Sequence, residues 1–120
     1  TDFGDMQAQR WTFATGSNST RGMIGGGRTP DADSGINTID FVTIATTGNA
    51  QNFGDLTQAR SACDGISDPT RFVIAGGYVP SSVNTIDFVT ISTTGDATDF
   101  GDLTYSRNRA GSCSNGHGGL

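Results

Sequence analysis

The chain has 120 residues, of which 33% are apolar, a share that supports a modest core. Its net charge of −5 comes from Asp and Arg alone, since Lys and Glu are absent. Phosphate backbones and anionic membranes recruit clustered positive charge, so this balance argues against nucleic acid and membrane surfaces as partners. No apolar run approaches the roughly 18 residues of a spanning helix, so membrane insertion is not expected either.

Small polar residues dominate the rest of the chain and favour strands joined by tight turns. Thr fits a pleated surface, whereas Gly, Asn and Asp tolerate the backbone angles of turns. The missing Lys and Glu are among the better helix formers. The composition therefore predicts an all-β protein.

An internal repeat decides the organisation of the chain. Residues 37–60 recur as residues 84–107, at a spacing of 47 residues and with 18 of 24 positions identical. A third copy of the Phe-Gly-Asp triplet opens the chain at residues 3–5, 50 residues before the next copy. The three extra residues fall within 31–36, which predicts an inserted loop there.

Each repeat holds four short segments with strand character. In the second repeat they are residues 61–66, 71–77, 84–91 and 97–103. We expect the end of a unit at 1–6, complete units at 7–56 and 57–103, and the start of a further unit at 104–120. The chain begins with Thr1 and not with an initiator Met, and it shows no signal segment. We therefore expect a processed chain or a piece of a longer one.

The third segment predicts burial on both of its faces. Ile39 and Phe41 share one face, and Val42 and Ile44 share the other. A half-exposed strand would alternate apolar and polar residues, so this segment fits a sheet that packs between two neighbours.

Both cysteines are expected to be free thiols. Cys63 lies three residues after Arg60 and Cys113 six after Arg107, so the two hold different repeat positions with opposite strand parity. Unpaired thiols give no information on the redox compartment.

The repeat resembles the kelch repeat, which forms the four-stranded blades of β-propellers. That family carries an apolar strand ending in two glycines, an apolar-acidic step, an aromatic residue, and a leucine followed by arginine. The matching features here are residues 73–77, residues 86–89, Phe100, Leu103 and Arg107. The resemblance covers almost the whole chain and implies a partial kelch-like propeller, since about two and a half blades fall short of the roughly four to eight that close one.

Two further features of the repeat predict where residues pack. The paired glycines at 76–77, matched by 25–27, should lie where the backbone turns with positive φ or approaches another strand. Phe53 and Phe100 stand at the position that Trp often holds in the family, so they should pack between blades.

The amino-acid sequence of the repeat is also similar to the multi-copy repeat segments of bacteriophage virion and tail-associated proteins. This resemblance implies a virion or extracellular location and a non-enzymatic structural or receptor-binding role. The partners it implies are other subunits or blades and a host surface glycan or receptor. The alternatives are a propeller part of an oxidase-type or sugar-acting enzyme, and an intracellular kelch-type interaction module.

Several charged residues recur at fixed repeat positions, which marks scaffold, because a catalytic set would normally appear once. They are Asp5, Asp55 and Asp102, Asp40 and Asp87, and Arg10, Arg60 and Arg107. We expect them to cap turns or to pair inside a unit, for instance the triplet Asp with the Arg five residues on.

Catalytic residues, metal ions and cofactors are not expected. His117 is the only histidine, which favours a structural or exposed role for it. Asp31, Asp33 and Asn37 lie together in the insertion, but the pattern lacks the third ligand and the bidentate Glu of a calcium loop.

One end of each unit carries the candidate binding residues. In a four-stranded antiparallel blade, the loop between the second and third strands and the connection to the next blade emerge at the same end. Loops on a rigid scaffold are frequent recognition sites, and these vary between the near-identical repeats. The candidates are Arg28, Asp31, Asp33, Tyr78, Tyr105 and Arg109.

Overall fold

A computed structural model describes residues 1–116, and this part of the chain contains strands and turns but no helix. The all-β expectation is therefore confirmed. The strands of the described residues are β1 (Ala14–Ser17), β2 (Arg21–Gly25), β3 (Ile36–Thr43), β4 (Gln51–Arg60), β5 (Asp64–Ser67), β6 (Arg71–Ala75), β7 (Tyr78–Val79), β8 (Ser81–Thr90) and β9 (Thr98–Arg107).

Each repeat forms one antiparallel sheet of four main strands. The first sheet has the order β1-β2-β3-β4 and the second the order β5-β6-β8-β9. Four strands per repeat were expected, and both sheets show them. The fourth strands continue to Arg60 and Arg107, past residues 56 and 103.

One small strand of the second sheet was not predicted. In β7, Tyr78 and Val79 pair with the first two residues of β8 around Pro80, so the loop folds back as a short hairpin. In the first repeat, the insertion at residues 31–35 forms turns instead, as expected for a loop, and Ile36 opens β3.

The two sheets stack face to face and share one apolar core. Phe72 fills the space over Gly25, where an added Cβ would lie 3.3 Å from its ring. The core residues come from both sheets and are Ala14, Met23, Ile39, Phe41, Phe53, Leu56, Cys63, Phe72, Ile74, Val89 and Ile91. Burying side chains of this size stabilises the fold by about 1.5–3 kcal/mol each, so the stack depends on contact between sheets.

The third strand of each sheet buries the face that meets the other sheet. Ile39 and Phe41 of β3 are buried, whereas Ile44 on the opposite face is 47% exposed. In β8 the parity reverses, because Val89 and Ile91 are buried while Phe88 is only half-buried. The expectation of burial on both faces is therefore wrong at Ile44, and it is confirmed only for the face that meets the other sheet.

The sheets contact each other along β1 and β5, and β4 contacts β7 and β9. The backbone of Ser17 donates to the hydroxyl of Ser67 at 3.0 Å, and a Cβ on Gly65 would collide with the Thr15 carbonyl. Glycine is therefore required at position 65, where β1 and β5 meet.

The thiols of Cys63 and Cys113 are both free, as expected. Burial raises the pKa of the Cys63 thiol, so this group remains protonated in the core. Within residues 1–116, no helix is long and apolar enough to cross a membrane.

Candidate functional sites

A buried ion pair joins the two sheets. Arg60, at the end of β4, reaches into the second sheet and lies 3.1 Å from the Asp87 carboxylate, and both side chains are fully buried. The same guanidinium donates to the carbonyls of Ile74 and Thr85. Thr57 of β4 donates its hydroxyl and its backbone N–H to the two carboxylate oxygens at 2.7 and 3.0 Å. Arg60 and Thr57 of the first sheet thus both bind Asp87 of the second sheet.

The same arrangement occurs one repeat earlier. Arg10 lies 2.7 Å from the Asp40 carboxylate, also buried, and donates to the carbonyls of Gly26 and Thr38. With its amide oriented to donate, Gln7 stands where Thr57 does in the next repeat, 3.1 Å from Asp40 Oδ1. Burial raises the pKa of Asp40, although Arg10 beside it acts in the opposite direction. Residues 1–10 therefore dock on the first sheet as β4 docks on the second.

These contacts correct the pairing expected from the sequence. Arg10 and Arg60 each pair with the Asp in the third strand of the following sheet, not with the triplet Asp five residues earlier. The charge pair is therefore a bond between neighbouring units. A buried charge requires a close partner, and the nearest carboxylate along the chain is not the nearest in space.

The Phe-Gly-Asp triplet has a different task, which is to hold a turn of the following sheet through its backbone. Gly95 and Ala97 donate to the carbonyls of Phe53 and Asp55 at 2.9 and 2.8 Å, and the carboxylate of Asp96 accepts from the backbone of Asp55. A Cβ on the triplet glycine, Gly54, would collide with the Gly95 carbonyl. Only glycine admits this approach.

The first triplet holds the preceding turn in the same way. Gly48 and Ala50 donate to the carbonyls of Phe3 and Asp5 at 2.8 Å each, and Asn49 takes the place of Asp96. We call the combination of triplet, Arg and Asp contacts the stacking joint. The described residues contain two such joints, at residues 1–10 and at β4.

The third copy of the triplet and Arg, in β9, has no following sheet against it. Phe100 is 55% exposed, whereas its repeat equivalent Phe53 is 3% exposed, so the expectation that Phe100 packs between units is wrong for this chain and right for Phe53. Arg107 is exposed where Arg60 is buried. A Cβ on Gly101 would meet no atom within 4 Å. We call this surface the open face; its residues are Val73, Ile86, Phe88, Phe100, Gly101, Leu103, Thr104 and Arg107.

The segment after β9 contacts β5, the edge strand of the second sheet. Ser112 donates its hydroxyl to the carbonyl of Gly65 at 2.7 Å. Ser112 holds the repeat position of Gly65 and Thr15, so it lies against β5 as β5 lies against β1. The expected start of a further unit at 104–120 falls partly here, and His117 with the remaining residues 118–120 lies outside the described residues.

Three of the candidate binding residues line one cavity of roughly 260 Å³. Its walls are Arg28, Ala62, Tyr78, Asn108 and Arg109, and we call it the cationic cavity. The guanidinium of Arg28 lies 5.5 Å from the centre of the Tyr78 ring, and its Nε donates to the hydroxyl of Ser61.

The other candidates lie around or away from this cavity. Asp33 contacts Arg28 at 3.6 Å through a carboxylate that is 92% exposed. Asp31 is exposed in the inserted turn next to it. Tyr105 is 75% exposed on β9 and is not among the residues that line the cavity. Sequence reasoning missed Ala62 and Asn108, which come from the connections that follow Arg60 and Arg107.

Those connections share an unusual backbone. Thr12, Ala62 and Arg109 hold the same repeat position and have φ of 57°, 51° and 53°. The N–H of Ala62 donates to the Thr12 carbonyl, and that of Arg109 donates to the Ala62 carbonyl, at 2.8 and 2.9 Å. Non-glycine residues with positive φ are uncommon. Their recurrence shows that the repeat itself fixes the backbone that positions Arg109.

Comparisons with known proteins assign no family to the chain. The chain matches none of the protein-family models, and no curated protein matches it at a significant level.

Proposed function

We propose that the chain is a non-enzymatic structural module, consisting of blades of a kelch-like β-propeller in a virion or another extracellular particle. The observation that carries the proposal is the stacking joint, which is used twice and is unfilled at the open face. A module of this kind assembles by stacking one repeat unit on the next. Receptor or glycan binding at the loop end is a second role, favoured by the convergence of candidate residues at the cationic cavity.

The stacking of the two sheets supports the propeller reading. Propeller blades are four-stranded sheets arranged around an axis. Here each repeat forms one sheet with four main strands, and the two sheets pack face to face on a shared core. The placement in a phage tail or capsid rests on the resemblance of the repeat text alone.

The occupant that fits the open face is another unit of the same repeat. Such a unit brings a third-strand Asp for Arg107, a Gly-containing turn for Gly101, and an apolar face like that of Phe72 and Val89 for Phe100. Each of these contacts exists one repeat earlier, between β4 and the second sheet. We therefore expect the contacts at the open face to repeat those of the stacking joint between β4 and the second sheet.

A chain extended by one repeat tests this occupant. We replace residues 108–120 with a further copy of residues 61–107 and introduce Arg107→Gln into both the extended and the original chain. In the extended chain this change should lower the free energy of unfolding by about 3–5 kcal/mol, because it leaves a buried Asp without its partner. In the original chain Arg107 is exposed, so the loss should stay within about 0.5 kcal/mol.

Urea unfolding of the four proteins measures both effects. A loss within about 0.5 kcal/mol in the extended chain as well would mean that the added repeat does not use the joint. The proposed stacking of further blades would then be rejected.

A further inference from the structure

The cationic cavity concentrates positive charge on an acidic chain. Two arginines, Arg28 and Arg109, are among the residues that line it, while the whole chain has a net charge of −5. Within residues 1–116, the Arg109 side chain makes no hydrogen bond or ion pair. Asp33 neutralises Arg28 only weakly, because its carboxylate is 3.6 Å away and 92% exposed to water. The site therefore has capacity for an anion.

The Arg28 guanidinium and the backbone of Arg109 are held in place before any ligand arrives. Arg28 is held by its hydrogen bond to Ser61 and by its position over the Tyr78 ring. Arg109 is held at its backbone by the hydrogen bond to Ala62, at a repeat position with defined φ. A pre-organised guanidinium loses less conformational entropy on binding and matches the two oxygens of a carboxylate.

Neutral hydrogen-bonding groups line the same cavity. Tyr78 supplies a phenol, which donates and accepts. Asn108 donates from its amide nitrogen to the Ser82 hydroxyl at 2.6 Å, which leaves its amide oxygen available as an acceptor. The volume of roughly 260 Å³ lies just below the range of roughly 300–1,000 Å³ for drug-sized ligands, and it suits a single sugar ring.

We propose that the cationic cavity binds the carboxylate-bearing ring of an acidic sugar, such as a uronic acid unit of a glycan. The two guanidiniums bind the carboxylate by charge-assisted hydrogen bonds. Tyr78 and Asn108 bind ring hydroxyls. This site deepens the second role proposed above and does not depend on the stacking joint, which lies on other residues.

Chemical-shift titration of the full chain with glucuronate, acetate, inorganic phosphate and glucose tests the site. We expect glucuronate to bind with a Kd of about 1–10 mM and to shift the amides of Tyr78 and Arg109. Acetate and phosphate should bind at least tenfold more weakly, since they lack the ring hydroxyls, and glucose should not bind, since it lacks the charge.

Variants separate this site from general charge. Arg109→Gln and Arg28→Gln should each weaken glucuronate binding at least tenfold. Arg71→Gln removes the same charge from an exposed residue that does not line the cavity, and it should bind as the unaltered chain does. Acetate or phosphate binding as tightly as glucuronate would overturn the sugar assignment, and unchanged binding by Arg109→Gln would overturn the site. Neither result affects the unfolding test of the stacking joint.

Discussion

Replacing Arg60 with Gln is expected to lower the free energy of unfolding by about 3–5 kcal/mol, the largest loss that we expect from a charged residue. Arg60 and Asp87 are both fully buried and bond each other, so the substitution leaves a buried carboxylate without its cation. The same change also removes the donors to the carbonyls of Ile74 and Thr85, which join the sheets. Urea unfolding monitored by circular dichroism measures the loss.

Arg107→Gln is the matched control, because Arg107 holds the same repeat position and is exposed. It should change the free energy of unfolding by no more than about 0.5 kcal/mol. The double variant Arg60→Gln/Asp87→Asn should recover part of the loss, since it removes the unpaired charge. Equal effects at Arg60 and Arg107 would show that the Arg60–Asp87 pair does not join the sheets.

Truncation of Phe53 to Ala is expected to cost about 3–5 kcal/mol, as for other buried aromatic residues. Phe53 is 3% exposed, lies in the core between the sheets, and packs edge to face on Phe41 with ring centres 5.8 Å apart. Its loss opens a cavity in the shared core. Calorimetric or urea unfolding measures the cost.

Phe100→Ala tests the same repeat position on the open face. Phe100 packs on Phe88 with the same edge-to-face geometry, at 5.9 Å, but is 55% exposed. Its truncation should cost less than about 1 kcal/mol, because most of the ring already contacts water. A loss for Phe100 as large as that for Phe53 would contradict the open face in the isolated chain.

The repeat made the strands predictable from the sequence. Two copies with 18 identical positions of 24 gave four strands per unit, the inserted loop, and the role of the paired glycines. Gly76 and Gly77 have φ of 64° and 121°, and the N–H of Gly77 donates to the Arg107 carbonyl, as close approach requires. Local chemistry fixes these features, because turn residues act over a few positions.

Contacts between repeats were harder to predict. Phe53 and Phe100 stand in the same local sequence, yet their exposures differ because only one of them has a following sheet. Recurrence of Arg and Asp indicated scaffold without telling whether the pair lies within a unit or between units. A signal did exist: Asp40 and Asp87 each interrupt an apolar strand, and a carboxylate buried there requires a cation from a neighbouring element.

The cationic cavity was predictable in part. Variation between repeats pointed to Arg28, Tyr78 and Arg109, which lie together, whereas Tyr105 lies apart on β9. Variable residues on a strand surface and on a loop end look alike in the sequence. Only the path of the connections brings Asn108 beside Tyr78.

The mass of the native polypeptide or assembly tests the stacking of further units most directly. Mass spectrometry and sedimentation velocity on the protein from its natural source should give a polypeptide or assembly of at least about four units, since propellers close with roughly four to eight blades. The open face would be covered in such an assembly, as the equivalent face of the first sheet is here. A stable monomer of 12.4 kDa, with all its strands protected from hydrogen exchange, would contradict closure by further units.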